Sequence, residues 1–276
     1  RLLNGLKTTI MFKLKGKVAI ITGSSQGIGK SIASEMLRKG AMVIINGRNS
    51  EKLESTRREL EKTGGIVEAI QGDVSNYLDC EKLINTTKDK FKQIDVVVNN
   101  AGIVSIGKVE TTNAEVIEKV MQVNLIGKFY IAKAAIPHLK QSKGYLVFNS
   151  SIAGFLGLPD YSLYSASKMA LTALIQSLRL ELHGSGVGLG INYIGFTEND
   201  PNKTFIDANG NLEILPKRQN VKIMPVEKLA NKIVRGIETR RYKRIFSLQG
   251  KIAYFMHRFF PYLLEKLMII LYNRRK

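Results

Sequence analysis

The sequence predicts an α/β protein built on a single doubly wound parallel sheet with helices on both faces. Three observations carry this expectation. Short apolar runs alternate with longer segments of helical period through the first 195 residues, as in repeated βαβ units. The first apolar run passes into the first helical segment through a glycine-rich turn. The chain of 276 residues is 44% hydrophobic, enough to bury one large core.

Val18–Ile21 is a continuous apolar run, read as a strand buried on both faces. Ile28, Ile32, Ala33, Met36 and Leu37 repeat with helical period until Gly40 stops them. Strand Val43–Ile45, helix Glu51–Lys62, strand Ile66–Ile70 and helix Asp79–Phe91 follow. Next come strand Asp95–Val98, one long helix Ala114–Leu139, strand Tyr145–Asn149, helix Tyr161–Leu182 and strand Leu189–Ile194. Residues 196–222 are polar and punctuated by Asn199-Asp200-Pro201-Asn202 and Ala208-Asn209-Gly210-Asn211. Their length inside a compact domain suggests a loop or lid over a substrate. Helix Val226–Thr239 and a short strand near Arg244–Leu248 close the domain.

Thr22-Gly23-Ser24-Ser25-Gln26-Gly27-Ile28-Gly29 sits between the first strand and the first helix. Its glycines permit a tight turn and a close approach of backbone N–H groups to a pyrophosphate, and the helix N-terminus adds its positive end. The fold is therefore expected to be of Rossmann type, with Gly23, Ser25, Gln26, Gly27, Ile28 and Gly29 holding a dinucleotide. An acidic residue at the end of the second strand would mark NAD; here the strand ends Asn46-Gly47-Arg48. Gly47 leaves room and Arg48 offers a guanidinium suited to a phosphate, so NADP(H) is favoured over NAD(H). Asp73 and Val74 are placed to meet the adenine, and Asn100, Ala101 and Gly102 to pass close to the nicotinamide ribose.

Tyr164 and Lys168 stand four residues apart, on one face of their helix, and Tyr164 follows Ser151 by thirteen. A lysine cation beside a phenol favours the phenolate, drawing its pKa from about 10 towards neutrality and suiting it to proton exchange with an alcohol or carbonyl oxygen.

These motifs, in this order and spacing from Leu14 to Gly195, resemble the short-chain dehydrogenase/reductase family. The resemblance implies four catalytic residues. Asn124 shapes the active-site helix and holds a relay water. Ser151, with Ser150 as its rival, hydrogen-bonds the substrate oxygen. Tyr164 is the general acid/base, and Lys168 binds the nicotinamide ribose and tunes the tyrosine. It also implies cofactor contacts from Tyr164, Lys168, Gly195 and Thr197. One departure stands out. Ile194 replaces the proline usual before Gly195, leaving Thr197 or Asn199 to meet the nicotinamide amide. The implied activity is an NADP(H)-dependent interconversion of a ketone or aldehyde with an alcohol on an apolar lipid-, steroid- or retinoid-like substrate. The alternatives are 3-oxoacyl-[acyl-carrier-protein] reduction and, in another class, a non-catalytic NADP(H) sensor or scaffold. A homodimer or homotetramer is implied, paired through helices Ala114–Leu139 and Tyr161–Leu182.

The net charge of +19 gathers at the ends. Residues 217–276 hold 16 Lys/Arg against 3 Asp/Glu, and residues 1–17 hold 5 against none, so the body between is near neutral. A nucleic-acid-binding domain would carry its basic face through the fold, so no nucleic-acid partner is expected. The expected division is an N-terminal extension (1–13), the catalytic domain (14–250) and a basic, amphipathic C-terminal helical segment (251–276). Arg1–Ile10 lacks the apolar core of a secretory signal. In 251–276 polar residues recur seven to eight apart, and Pro261 is expected to break the segment into two helices. Its broad apolar face and basic residues suit peripheral contact with an anionic membrane rather than a span, on a cytoplasmic protein held at the membrane's cytoplasmic face. Cys80 is the single cysteine, excluding an internal disulfide. His138, His183 and His257 lie too far apart for a metal motif, and no metal is expected.

Overall fold

A computed structural model describes residues 11–198, 200–201, 203–216 and 223–274. Arg1–Ile10, Asn199, Asn202, residues 217–222 of the polar loop and the two last residues lie outside the described residues.

Seven strands form one sheet in the order β3-β2-β1-β4-β5-β6-β9, with every neighbouring pair parallel. They are β1 (Val18–Ile21), β2 (Met42–Gly47), β3 (Val67–Gln71), β4 (Val96–Asn99), β5 (Tyr145–Ser151), β6 (Gly188–Ile194) and β9 (Lys243–Ile245). Alternate side chains of each strand point to opposite faces. Val18, Ile20, Val97 and Phe148 enter one core with residues of α3 (Tyr77–Phe91), α5 (Gly127–Ser142) and α6 (Ser162–Glu181). Ala19, Ile21, Val96 and Val98 enter a second core with α1 (Gly27–Arg38), α2 (Ser50–Glu61) and α7 (Val226–Glu238). Both faces are covered, so the strands read as continuous apolar runs. The winding reverses between β1 and β4, which opens a crevice at the carboxyl ends of these strands.

Three expectations change in detail. The long helix over 114–139 is divided into α4 (Ala114–Met121), a π-helical turn at Gln122–Ile126, and α5. The widened turn turns Asn124 inward, where its Oδ1 accepts from Ile103 N at 2.8 Å and its Nδ2 donates to Ile103 O at 2.9 Å. Gly127 is packed so closely that a Cβ there would lie 2.6 Å from Val74 O, which holds the turn in place.

The polar loop holds a hairpin, β7 (Thr204–Ile206) paired antiparallel with β8 (Leu212–Ile214). The Asp207 carboxylate closes its turn by accepting from Asn209 N at 2.9 Å and Asn211 N at 2.8 Å. Ile206 is buried against Val116 and Val120 of α4, so this stretch of the loop is anchored to the body.

The final strand ends at Ile245 rather than near Leu248, because Ser247 caps the next helix through a bond from Gly250 N to its Oγ at 3.0 Å. That helix, α8 (Leu248–Phe259), is followed after Phe260 by α9 (Pro261–Asn273), with the break at Pro261 where proline was expected to make it. No helix among the described residues is long and apolar enough to cross a membrane.

Candidate active site

The crevice at the ends of β1 and β4 is a cleft of about 400 Å³. Its floor is the glycine-rich turn. Gly23 has φ +60°, and a Cβ there would lie 2.6 Å from Ala101 Cα. At Gly29 a Cβ would lie 2.3 Å from Gly23 O and 2.8 Å from Asn100 Nδ2. Gly27 has φ +54° with open space around it. Two of these glycines are demanded by close backbone packing and the third by a left-handed turn facing the cleft. At the start of α1, the preceding Gln26 makes no side-chain capping hydrogen bond to the first N–H groups of that helix, which suits them to bind an anion. This cradle fits a pyrophosphate.

The turn is held by Asn100, an expected site residue, together with Thr22, Asn149 and Asn192, which the sequence did not single out. Thr22 Oγ1 accepts from Asn100 N at 2.9 Å and Ala101 N at 3.0 Å. Asn100 Nδ2 returns bonds to Thr22 O and Gly23 O, both at 3.0 Å. Asn149 Nδ2 donates to Asn100 Oδ1, and Asn192 Nδ2 to Asn149 Oδ1, each at 2.9 Å. A chain of three amides therefore runs from the glycine-rich turn across β5 to β6. Asn149 and Asn192 each interrupt an apolar strand, and that anomaly was the available signal.

At the end of β2, Arg48 points along the rim, 55% exposed, with Nη1 3.7 Å from Asp73 Oδ2. Asp73 Oδ1 also accepts from Ser75 N at 2.9 Å and Ser75 Oγ at 2.7 Å. A Cβ on Gly47 would lie 3.1 Å from Ser25 Oγ, so β2 and the glycine-rich turn touch here. Gln26 is tied to Lys52 of α2.

The other wall carries the residues grouped by the Ser–Tyr–Lys spacing. Ser151, Tyr164 and Lys168 line the same cleft as Gly23, Ser25, Gln26, Gly27, Ile28, Gly29, Arg48, Asp73, Val74, Asn100, Ala101, Gly102, Gly195 and Thr197. Ser151 ends β5, and its Oγ accepts from Ala153 N at 3.2 Å. Ser150 Oγ instead donates to Lys168 O at 3.3 Å, turned onto the backbone of α6. Lys168 is buried, with Nζ 5.5 Å from the centroid of the Tyr164 ring. Burial, and next the positive charge of Lys203, lower its pKa to about 8. A Cβ on Gly102 would lie 3.1 Å from Asn124 Oδ1 and 3.2 Å from Lys168 Nζ, so both groups stand directly behind that glycine. Asn124 is fully buried and its Nδ2 donates to Ser167 Oγ at 3.2 Å. Thr197 is buried, with Oγ1 donating to Gly195 O at 3.3 Å, whereas Asn199 lies outside the described residues.

Beneath this wall lies Lys128, wholly buried, whose Nζ donates to Asn99 O at 2.9 Å while Asn99 Nδ2 donates to Lys128 O at 3.0 Å. Burial first, and the charge of Lys168 second, hold its pKa well below the usual lysine value. Nothing in the local sequence distinguished it from a surface lysine.

A model of the short chain dehydrogenase family matches residues 17–209. Over 231 residues the chain is 36% identical to the 11-beta-hydroxysteroid dehydrogenase-like 4A protein of Arabidopsis thaliana, covering 82% of this chain and 74% of that one. A short chain dehydrogenase/reductase from Burkholderia phymatum, solved in complex with NAD, superposes with a TM-score of 0.77 at 22% identity, over 90% of this chain and 96% of its own. An alcohol dehydrogenase from the archaeon Thermococcus sibiricus, complexed with 5-hydroxy-NADP, superposes with a TM-score of 0.73 at 25% identity, over 84% of this chain and 96% of its own. With a glycine-rich dinucleotide cradle and the Ser–Tyr–Lys wall on one cleft, and a family match spanning most of the sheet, the chain belongs to the short-chain dehydrogenase family of oxidoreductases.

Proposed function

We propose that the protein is an NADP(H)-dependent oxidoreductase that interconverts a carbonyl and an alcohol on an apolar, lipid- or steroid-like substrate. The observation that carries this reading is the meeting of Ser151, Tyr164 and Lys168 with the glycine-rich cradle in one cleft. When bound, the nicotinamide cofactor supplies or removes the hydride.

The residues of the chain do the rest. The cradle of Gly23–Gly29 binds the phosphates, with Asn100 and its amide chain keeping the turn rigid. Ser151 Oγ and the Tyr164 hydroxyl donate hydrogen bonds to the substrate oxygen, where negative charge develops during reduction. Tyr164 passes its proton to that oxygen, or takes it back in oxidation. Lys168, held behind Gly102 beside Asn124, stabilises the phenolate left when the proton moves. Asn124 keeps the π-helical turn and hence this wall in register.

Arg48 at the end of β2, with no carboxylate on that strand end, supports NADP(H) over NAD(H). An apolar substrate is supported by Ile103, Val104, Ile194 and Leu215 along the cleft, and by the likeness to a hydroxysteroid dehydrogenase-like protein.

The test is NADPH oxidation measured over ketones of increasing chain length, with wild type and Tyr164→Phe. The expected result is rising kcat/KM with chain length, and a loss in kcat of about 10²–10⁴-fold in the variant with NADPH binding unchanged. Wild-type kcat in Tyr164→Phe would remove the catalytic assignment. NADPH binding without turnover of any ketone, or oxidation of any alcohol, would favour a sensor.

A further inference from the structure

Half of the large apolar side chains that stay exposed among the described residues fall between Leu248 and Leu271. Gly250 is the sole buried residue of α8, and α9 has none. On α8, Leu248, Ile252, Phe255 and Phe259 recur at helical spacing and form one outward row, with Leu248 at 73% exposure. The opposite side of α8 meets the body. Tyr254 packs edge-on against Phe155 with centroids 5.1 Å apart, and Lys243 Nζ donates to its hydroxyl at 2.8 Å. On α9, the half-buried Leu264, Met268 and Tyr272 face inward, and Tyr272 Oη bonds Asp160 Oδ1 at 3.3 Å. Everything else on α9 faces out.

Both anchors fall on one loop. Phe155 and Asp160 lie within the segment between Ser151 and Tyr161, and Ser151 and Tyr161 both line the cleft. The two helices therefore brace the wall beside the cleft's mouth.

Basic residues are interleaved with the apolar ones. Lys251, Arg258, Lys266 and Arg274 are all exposed, against Glu265 as the acid of the two helices. Two copies meeting through such a face would oppose like charges. The apolar surface is also broader than a helix-pairing seam, since Ile269, Ile270 and Leu271 are all exposed in succession. An in-plane position on a bilayer satisfies both features, with apolar side chains among the acyl chains and basic side chains at anionic headgroups. Neither helix spans.

We propose that α8 and α9 form a docking surface for an anionic lipid bilayer, seating the mouth of the cleft at the membrane. Docking stands independently of the reaction; the use of the bilayer as a source of apolar substrate rests on the function proposed above.

The full chain is mixed with phosphatidylcholine vesicles, with and without phosphatidylglycerol, and sedimented. Wild type is expected to bind the anionic vesicles at least about tenfold more tightly than the zwitterionic ones. Phe255→Asp/Phe259→Asp/Leu263→Asp is expected to lose at least about tenfold in that binding, with turnover of a short water-soluble ketone retained. Arg258→Gln/Lys266→Gln keeps the apolar face and is expected to lose the preference for anionic lipid, which decides the matter should the triple variant fail to fold. Wild type remaining in the supernatant overturns the proposal, as does either folded variant sedimenting like wild type. Loss of a dimer in the triple variant, with no vesicle binding by wild type, assigns the face to a second copy. Absence in wild type of both reduction of any ketone and oxidation of any alcohol refutes the enzymatic reading and leaves the sedimentation result intact.

Discussion

Replacing Arg48 by alanine should separate the cofactors. The guanidinium is 55% exposed and its ion pair with Asp73 is long, 3.7 Å. Exposed pairs of this kind contribute about 0–1 kcal/mol, so the fold should lose no more than that. A charge-assisted hydrogen bond to a phosphate is worth about 1.5–3 kcal/mol. At about 1.4 kcal/mol per factor of ten, Kd for NADPH should rise roughly 10- to 150-fold. NADH carries no phosphate on that ribose, so its Kd should not move. Asp73 sets the direction of any second effect. Its carboxylate lies beside the same site and repels a phosphate once Arg48 is gone, so the upper part of the range is expected. The assay is a fluorescence titration of both cofactors into wild type and Arg48→Ala at one salt concentration. Thermal melting serves as the control, with a shift of no more than about 2–4 °C. An unchanged ratio of NADPH to NADH affinity in the variant would refute the reasoning, and so would equal affinities in wild type.

Two more predictions concern the packing beneath the site. Gly29→Ala places a methyl 2.3 Å from Gly23 O and 2.8 Å from Ser24 Cα, both backbone atoms. A strain of about 1–3 kcal/mol and a loss of NADPH affinity should follow, and a variant that melts and titrates like wild type would show the turn to be looser than described. Lys128 holds its proton less tightly in the folded chain than in the unfolded one, because burial keeps its folded pKa well below 10.5. Its contribution to stability is therefore greatest above the unfolded pKa and falls away as pH drops below it. Lys128→Met should accordingly raise the melting temperature at about pH 7 and flatten its rise towards about pH 10, leaving the part due to Lys168, whose pKa is lowered to about 8. Melting curves identical to wild type across that interval would contradict a lowered pKa at buried Lys128.

Much of the molecule was legible in the chain because its signals are local. The apolar runs of β1, β4 and β6 report burial on both faces whatever covers them. Gly23, Gly27 and Gly29 are required by the backbone conformation or close packing of one short turn, so their spacing alone points to the cradle. Tyr164 and Lys168 share a helix face by periodicity, and Pro261 breaks a helix by its own geometry.

What remained hidden depends on partners distant in sequence. The π-helical turn at Gln122–Ile126 exists because Asn124 clasps Ile103, twenty-one residues away, and no periodicity within the helix announces it. The hairpin β7–β8 has strands of three residues each, too short to show alternation, and it is anchored by Ile206 against α4. Ser150 and Ser151 are adjacent and alike; their separate roles in packing follow from which one β5 turns towards α6. The amides of Asn100, Asn149 and Asn192 form a chain only once three strands lie side by side. Sequence by itself indicated the alternation of strands and helices from β1 to β6, the cradle, and the shared helix face of Tyr164 and Lys168, since each follows from periodicity or sterics within a few residues, whereas Ser151 came from the spacing of the resemblance. Tertiary structure alone decided which polar groups were buried together, where Lys128 was hidden, and that α8 and α9 pack on the segment between Ser151 and Tyr161, because burial and pairing are properties of surfaces that meet only after the chain has folded.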